Sequence, residues 1–329
     1  MSPIGTLGAI PAMATRTTGA SDRPVSSSIH AELIAVLVAI AEATPVALTV
    51  EDGSALPSGP LEAGHRSLQS GLRVWVEKRT GRPIGYVEQL YTFADSDRHV
   101  GENAGRTISI SYLGLLRTES SEVARAAWRP WYAYFPWEDH RPGPPRIIER
   151  QIAPGLGRWA RQDAAAEKRD ARARRAAIAF GLDGRPWNEE LTLQRYELLY
   201  EAGLVEEAHR KGAGPQEGGL GTAMRGDHRR ILATGIARLR AKIKYNPVVF
   251  ELMPPEFTLL QLQRCVEAIA GLPIHAPNFR RLIEQQNLVE ETGRSVSDTG
   301  GRPAKTFCFR PAVLEARAAA GTKPSVARN

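Results

Sequence analysis

The segment from Leu56 to Gly81, LPSGPLEAGHRSLQSGLRVWVEKRTG, constrains the fold more than any other part of the chain. Its first half is a loop punctuated by Pro57, Gly59, Pro60 and Gly64. Its second half, Ser67 to Arg79, carries Leu68, Leu72 and Val76 at the spacing of an amphipathic helix. Strand-like runs lie on both sides. Leu33 to Ile40 is continuously apolar, and Ala47 to Val50 is followed by the turn Glu51-Asp52-Gly53. After the helix come Gly85 to Phe93 and Thr107 to Leu116, where TISISYLGLL alternates before becoming apolar. Strands gathered around one such helix predict an α/β sandwich whose strand portion ends near Arg117.

The loop and helix resemble a Nudix box that has lost its metal-binding carboxylates. In the working motif a glycine loop leads into a helix ending R-E-U-x-E-E-x-G, whose glutamates hold Mg²⁺ against a diphosphate, since a hard cation requires oxygen ligands. Anchored on Thr80 and Gly81, the positions for Arg, Glu, Glu and Glu read Val74, Trp75, Lys78 and Arg79. A divalent cation cannot share that place with two basic side chains, because unit charges a few ångströms apart repel by roughly 4 kcal/mol at intermediate dielectric. Lys78 and Arg79 are instead suited to neutralising a bound diphosphate directly. The alternative is that they only decorate the solvated end of the helix. The pattern therefore points to binding without hydrolysis, with no catalytic and no metal-ligating residue assigned.

At 329 residues the chain calls for two or three domains, and 42% hydrophobic residues mark it as globular. A net charge of +7 favours a polyanionic partner, nucleic acid or an anionic nucleotide. The two cysteines, Cys265 and Cys308, lack the spacing of a zinc site or redox pair and fit a reducing cytoplasm. The longest apolar stretch, Leu33 to Ala41, is too short to span a bilayer. Residues 1–29 read as a disordered leader and residues 313–329 as a disordered tail.

Between Glu122 and Gly184 the texture changes. Trp128, Trp131, Tyr132, Tyr134, Phe135 and Trp137 cluster here, with Pro130 and Pro136 interspersed among them. Such a cluster serves either a base-stacking platform or, as buried aromatic area more commonly does, packing or a subunit contact. Gly157 to Phe180 reads as one solvated helix with mixed charge, and Leu191 to Ala202 as an amphipathic helix capped by Gly203. A glycine-rich loop, Gly212 to Gly221, precedes a helix from Asp227 to Lys244 with Asp227 as its N-cap.

In the last quarter, Thr258 opens a helix in FTLLQLQRCVEAIAG, with Leu259, Leu262, Val266 and Ile269 on one face and Gly271 at its end. A turn through Pro273 leads to Pro277 and a second helix, NFRRLIEQQ. Leu288 and Val289 then begin a strand, a polar tip from Gly293 to Gly301 follows, and KTFCFR returns. Two short helices and a hairpin are the outline of a winged helix-turn-helix. Thr258, Asn278, Arg280 and Arg281 fall where such a domain meets base edges and backbone, and Arg294, Arg302 and Lys305 lie on the wing. Phe279, Leu282 and Ile283 are expected to face the core. A winged helix used only for protein contacts is the other reading.

Taken with YVEQLYTF and Asp95, Asp97, Arg98 and Arg106 behind it, with ILATGIARLRAKIKYNPVVFELMPPEFTLLQLQ, and with NFRRLIEQQNLVEETG and GGRPAKTFCFR, the chain resembles the Nudix-related transcriptional regulators of NAD metabolism. WYAYFPWEDHR and RYELLYEAGLVEEA bring it nearest to the branch of NAD-biosynthesis repressors often called NadQ. The resemblance implies an N-terminal Nudix-like α/β/α sandwich, a helical connector and a C-terminal winged helix-turn-helix. It divides the chain at 30–184, 185–226 and 227–312.

It further implies a cytoplasmic homodimeric repressor that is not an enzyme and requires no cofactor, whose effector is NAD, ATP or an ADP-ribose-like nucleotide and whose partner is double-stranded operator DNA. Lys78, Arg79, Glu88, Gln89, Tyr91, Phe93, Arg98 and Arg106 are the expected ligand residues, although Tyr91 and Phe93 equally suit ordinary strand packing. Two other functions compete: a Nudix hydrolase of ADP-ribose or NAD using Glu62, Glu77 or Glu88, and a nucleotide-binding scaffold that meets proteins through its winged helix.

Overall fold

The computed structural model describes residues 30–61, 67–80, 84, 86–93, 107–117, 128–209, 220–245, 248–297 and 303–310. The expected leader and tail, the loop from 210 to 219, and Glu62, Asp95, Asp97, Arg98, Arg106 and Arg302 lie outside them.

The apolar run at the start of the chain becomes β1 (His30–Ala41), and its residues alternate between two cores. Leu33, Ala35 and Leu37 point to one face of the sheet, where Leu72 and Val76 of α1 (Leu68–Thr80) meet them. Ile34, Val36 and Val38 point to the other, where Ile231, Ile236 and Leu239 of α6 (His228–Tyr245) lie. Burial on both faces is why the strand reads as continuously hydrophobic. One edge of β1 pairs in parallel with β5 (Thr107–Leu115) over its first nine residues, from His30↔Thr107 to Val38↔Leu115. The opposite edge is shared by β3 (Ser58–Pro60) and β2 (Thr44–Leu48), both antiparallel. With β4 (Tyr86–Phe93) outside β5 and β6 (Trp128–Pro130) outside β2, the order is β4-β5-β1-β2-β6.

Behind β6 the aromatic segment turns inward through the one-turn α2 (Trp131–Tyr134). Trp131, Tyr134, Phe135 and Trp137 are almost wholly buried, so this segment supplies core rather than a stacking platform. The single helix expected from Gly157 to Phe180 is two: α3 (Ala153–Arg161) and α4 (Ala166–Phe180). The break falls at Asp163, whose carboxylate accepts from the backbone N–H of Ala165, a local bond that competes with the helical ladder. α5 (Thr192–Glu201) follows and packs against α6.

α6, which the sequence groups with the C-terminal domain, lies on the sheet. A Cβ added at Gly235 would stand 2.8 Å from Val36 Cγ1, so the helix approaches β1 at backbone distance. The backbone N–H of Leu56 donates to His228 Nδ1 at 2.9 Å. α6 thus closes the second face of an α/β/α sandwich.

The C-terminal domain comprises α7 (Leu259–Ala270), α8 (Ala276–Gln286), and the hairpin β7 (Val289–Val296) and β8 (Ala304–Phe309). Thr258 and Gln261 form a reciprocal capping box at the start of α7. Phe257 bridges to Phe307, and Phe309 stacks on Phe250 with centroids 3.5 Å apart, fixing the hairpin against the domain. Among the described residues no helix is long and apolar enough to cross a membrane.

Candidate nucleic-acid interface and ligand face

α8 begins at Ala276 with Pro277 in its first turn and ends at Asn287 in the left-handed conformation. It buries Phe279 and Ile283 only. Leu282, expected in the core, is 48% exposed. The reason is angular: one residue turns a helix by about 100°, so 279 and 283 share a stripe that 282 leaves. Arg280 and Arg281 are exposed on the outer side of α8, and Asn278 is exposed at its start. That is the presentation a helix needs to lie in a DNA major groove.

Thr258 serves its own helix, since its hydroxyl accepts from the Gln261 N–H at 3.2 Å. The wing differs from the expected hairpin with its tip beginning at Gly293. β7 continues to Val296, with an irregular register between Glu291 and Ser295, and Gly293 takes φ 77° inside it. A glycine at positive φ is what such a bulge requires. Both described basic residues of the wing carry acidic partners: Arg294 pairs with Glu256, and Lys305 Nζ lies 2.9 Å from Glu291.

The expected ligand residues divide between two faces. Pairing of β4 with β5 runs from Gln89↔Tyr112 to Thr92↔Ile110, so β4 holds one extra residue there. Five positions apart, Glu88 and Phe93 belong on opposite faces of a regular strand; the bulge brings both to α6. Glu88 accepts from Tyr86 Oη at 2.6 Å and stands 3.2 Å from Lys242 Nζ and 3.9 Å from Arg238 Nε. Phe93 lies under the Arg230 guanidinium, 5.1 Å from ring centre to Cζ. Gln89 instead accepts from Tyr112 Oη, on the α1 side, at 3.5 Å, and Tyr91 is 54% exposed. Lys78 is exposed near the end of α1; Arg79 is on the same helix, its side chain outside the described atoms. Glu77 is exposed as well.

The sequence reading missed the cations of α6. Arg230, Arg238 and Lys242 sit at i, i+8 and i+12, one face of one helix, and all three meet β4. Their periodicity was visible in the chain, but not that α6 lies against β4. Among the described residues no three His, Cys, Asp or Glu side chains converge as a metal's donor set.

Where the two domains join, α7 is held at its C-terminal end. Tyr132 Oη donates to Ala268 O at 2.7 Å, Arg240 Nε to Ile269 O at 2.9 Å, and the His140 N–H to Gly271 O at 2.7 Å. These donors, all from the N-terminal domain, satisfy carbonyls that a helix end leaves free. Gly271 has φ 70°, and a Cβ there would come within 2.3 Å of Glu138 O, so the junction admits only glycine.

Residues 249–309 match the NrtR DNA-binding winged helix domain. The NrtR-type domain therefore begins after α6, in keeping with that helix packing on the sheet. Eighty-three residues, 25% of this chain, are 40% identical to the ADPR responsive transcriptional repressor NtrR of Acinetobacter baylyi, and the match spans 33% of that relative's length. Shewanella oneidensis NrtR is similar in structure: TM-score 0.51 and 17% identity, covering 86% of this chain and 95% of that one. The same protein solved with a 27mer DNA gives 0.50 and 19% over the same shares. At those identities the likeness is one of fold. It places this chain in the architecture of a Nudix-like domain followed by an NrtR-type winged helix, as the sequence led us to expect.

Proposed function

We propose that this protein is a ligand-responsive transcriptional repressor, acting as a homodimer, that binds operator DNA of NAD-biosynthesis genes through its winged helix and senses an adenine nucleotide without hydrolysing it. The observation that carries the reading is the NrtR-type winged helix at 249–309 with Arg280 and Arg281 exposed on its second helix. A dimer sets two such helices about one DNA turn apart on a near-palindromic site. The A. baylyi relative's description as ADPR responsive supports an ADP-ribose-like effector, with NAD and ATP, which share its adenosine diphosphate portion, as the alternatives. Lys78 and Arg79, where a working box has glutamates, support binding over cleavage. The effector acts by preferring one arrangement of the domains, which shifts the population toward or away from the DNA-binding form.

The test is binding of the purified protein to promoter DNA from its own NAD-synthesis genes across a salt series, with and without ADP-ribose, NAD and ATP. We expect salt-sensitive, sequence-specific binding altered by one of them. Equal binding to a scrambled duplex under every condition sinks the repressor reading. Mg²⁺-dependent release of AMP from ADP-ribose would move the protein to the hydrolases.

A further inference from the structure

A cavity of about 650 Å³ opens beneath α8, at the meeting of the two domains. Its walls come from α6 through Ile243, from Phe250, from α7 through Val266 and Ala270, and from α8 itself. The volume falls within the range of small-molecule sites, roughly 300–1,000 Å³. Three features of its lining identify what it takes.

Among the described lining residues there is no lysine or arginine, and the ionisable group there is Glu189. A phosphate-bearing nucleotide entering it would lose its hydration with no cation to replace it, which the chemistry of buried charge forbids. The walls are otherwise aliphatic or aromatic. The polar exceptions on α8 are the amides of Asn278 and Gln286, eight residues apart and hence on the same side of the helix, with Leu282 between them. Leu282 is half exposed at this wall, an apolar side chain with an unfilled apolar space before it.

We propose that this cavity is a second ligand site, separate from the nucleotide face at β4 and α1, for a small, largely aromatic or hydrocarbon molecule without negative charge. The amides of Asn278 and Gln286 orient its polar group, and its body covers Leu282, Val266 and Phe250. Because α6 belongs to the sheet and α8 to the DNA-reading domain, an occupant touches both.

The experiment titrates the full chain, without DNA or nucleotide, with N-phenyl-1-naphthylamine, a neutral probe that fluoresces on leaving water. We expect saturable binding of one probe per chain, unaffected by ADP-ribose. It should weaken at least tenfold in Ala270→Trp and in the milder Val266→Phe, both placed to fill the space, with thermal melting confirming that each variant is folded. Should Ala270→Trp not fold, Val266→Phe alone decides. Absence of saturable binding to the wild type overturns the proposal, as does undiminished binding in a folded variant. Probe binding that competes with self-association as protein concentration rises also overturns it, since the occupant is then a second copy of the chain. None of these outcomes bears on operator binding, so the proposal fails or stands apart from the repressor reading.

Discussion

Arg240 on α6 donates from Nε to the carbonyl oxygen of Ile269, 2.9 Å away in the last turn of α7, and so joins the sheet domain to the winged helix. The same guanidinium reaches the carboxylate of Glu138, which Arg195 holds from the other side with bonds of 2.6 and 2.8 Å. All three side chains are buried. One charge cluster therefore ties the segment after α2, α5, α6 and α7 together.

Replacing Arg240 with Met removes one cation from this cluster and strips Ile269 O of its donor. Breaking a buried pair by deleting one partner costs about 3 kcal/mol or more, because the remaining charge is left undercompensated. We expect Arg240→Met to lower the free energy of unfolding, measured in urea, by that amount. Arg230→Met, where the guanidinium is partly exposed beside Glu197, should lower it by about 1 kcal/mol or less. Equal losses in the two variants would show that the Glu138 cluster is not specially important to stability.

Acid should find the same cluster. Burial pushes the Glu138 carboxyl upward, but Arg195 and Arg240 outweigh it and hold the group below the ordinary carboxylate range. A folded value below the unfolded one, about 4.3 for glutamate, means that the stabilisation is fully present above that pH and is lost as pH falls through the folded value. We expect stability measured by denaturant to decline below about pH 4.3, and Glu138→Gln to flatten that decline while being less stable at neutral pH. An unchanged slope in the variant would assign the acid sensitivity to other carboxylates.

On the reading helix, Arg280→Ala and Arg281→Ala should weaken operator binding without altering the melting temperature, as neither side chain is buried. A residue that contacts a base edge costs about 1–3 kcal/mol and relaxes sequence preference. One that contacts phosphate weakens all sequences alike and lowers the salt slope by about 1. Binding isotherms on specific and scrambled duplexes at several salt concentrations separate the two. Unchanged affinity in both variants would remove α8 as the reading helix.

The wing acids should work in the opposite direction. Glu256 and Glu291 occupy Arg294 and Lys305, and both pairs are well exposed, so each is worth about 0.2–1 kcal/mol. DNA phosphates compete with them for the same cations. We predict that Glu256→Gln and Glu291→Gln tighten DNA binding by about two- to fivefold at low salt, with the gain fading at high salt as screening sets in. Weaker binding in either variant would show that the acid positions the wing rather than competing for it.

Much of this molecule was legible residue by residue. The continuous apolar run of β1, the alternation in β5, the capping box of Thr258 and Gln261, and the glycine ending α7 depend on neighbours within a few positions, and short-range chemistry declares itself in order along the chain. The Asp163 break inside the stretch that reads as one mixed-charge helix is local too, a single carboxylate bonded to a backbone N–H two residues on.

What tertiary structure decided concerns partners far apart. Glu138 and Arg240 lie 102 positions from each other, and no pattern in either neighbourhood announces the other. The extra residue in β4 swings Phe93 to the side of Glu88, an effect of pairing with β5 that propensity does not encode. A domain boundary placed at the glycine-rich loop before α6 groups that helix with the winged helix; only packing on β1 settles which apolar surface it covers. The sequence by itself thus determined which local elements form and where their caps and cations lie. The fold decided which of them meet, because an ion pair or a packed face depends on distance in space and not on distance along the chain.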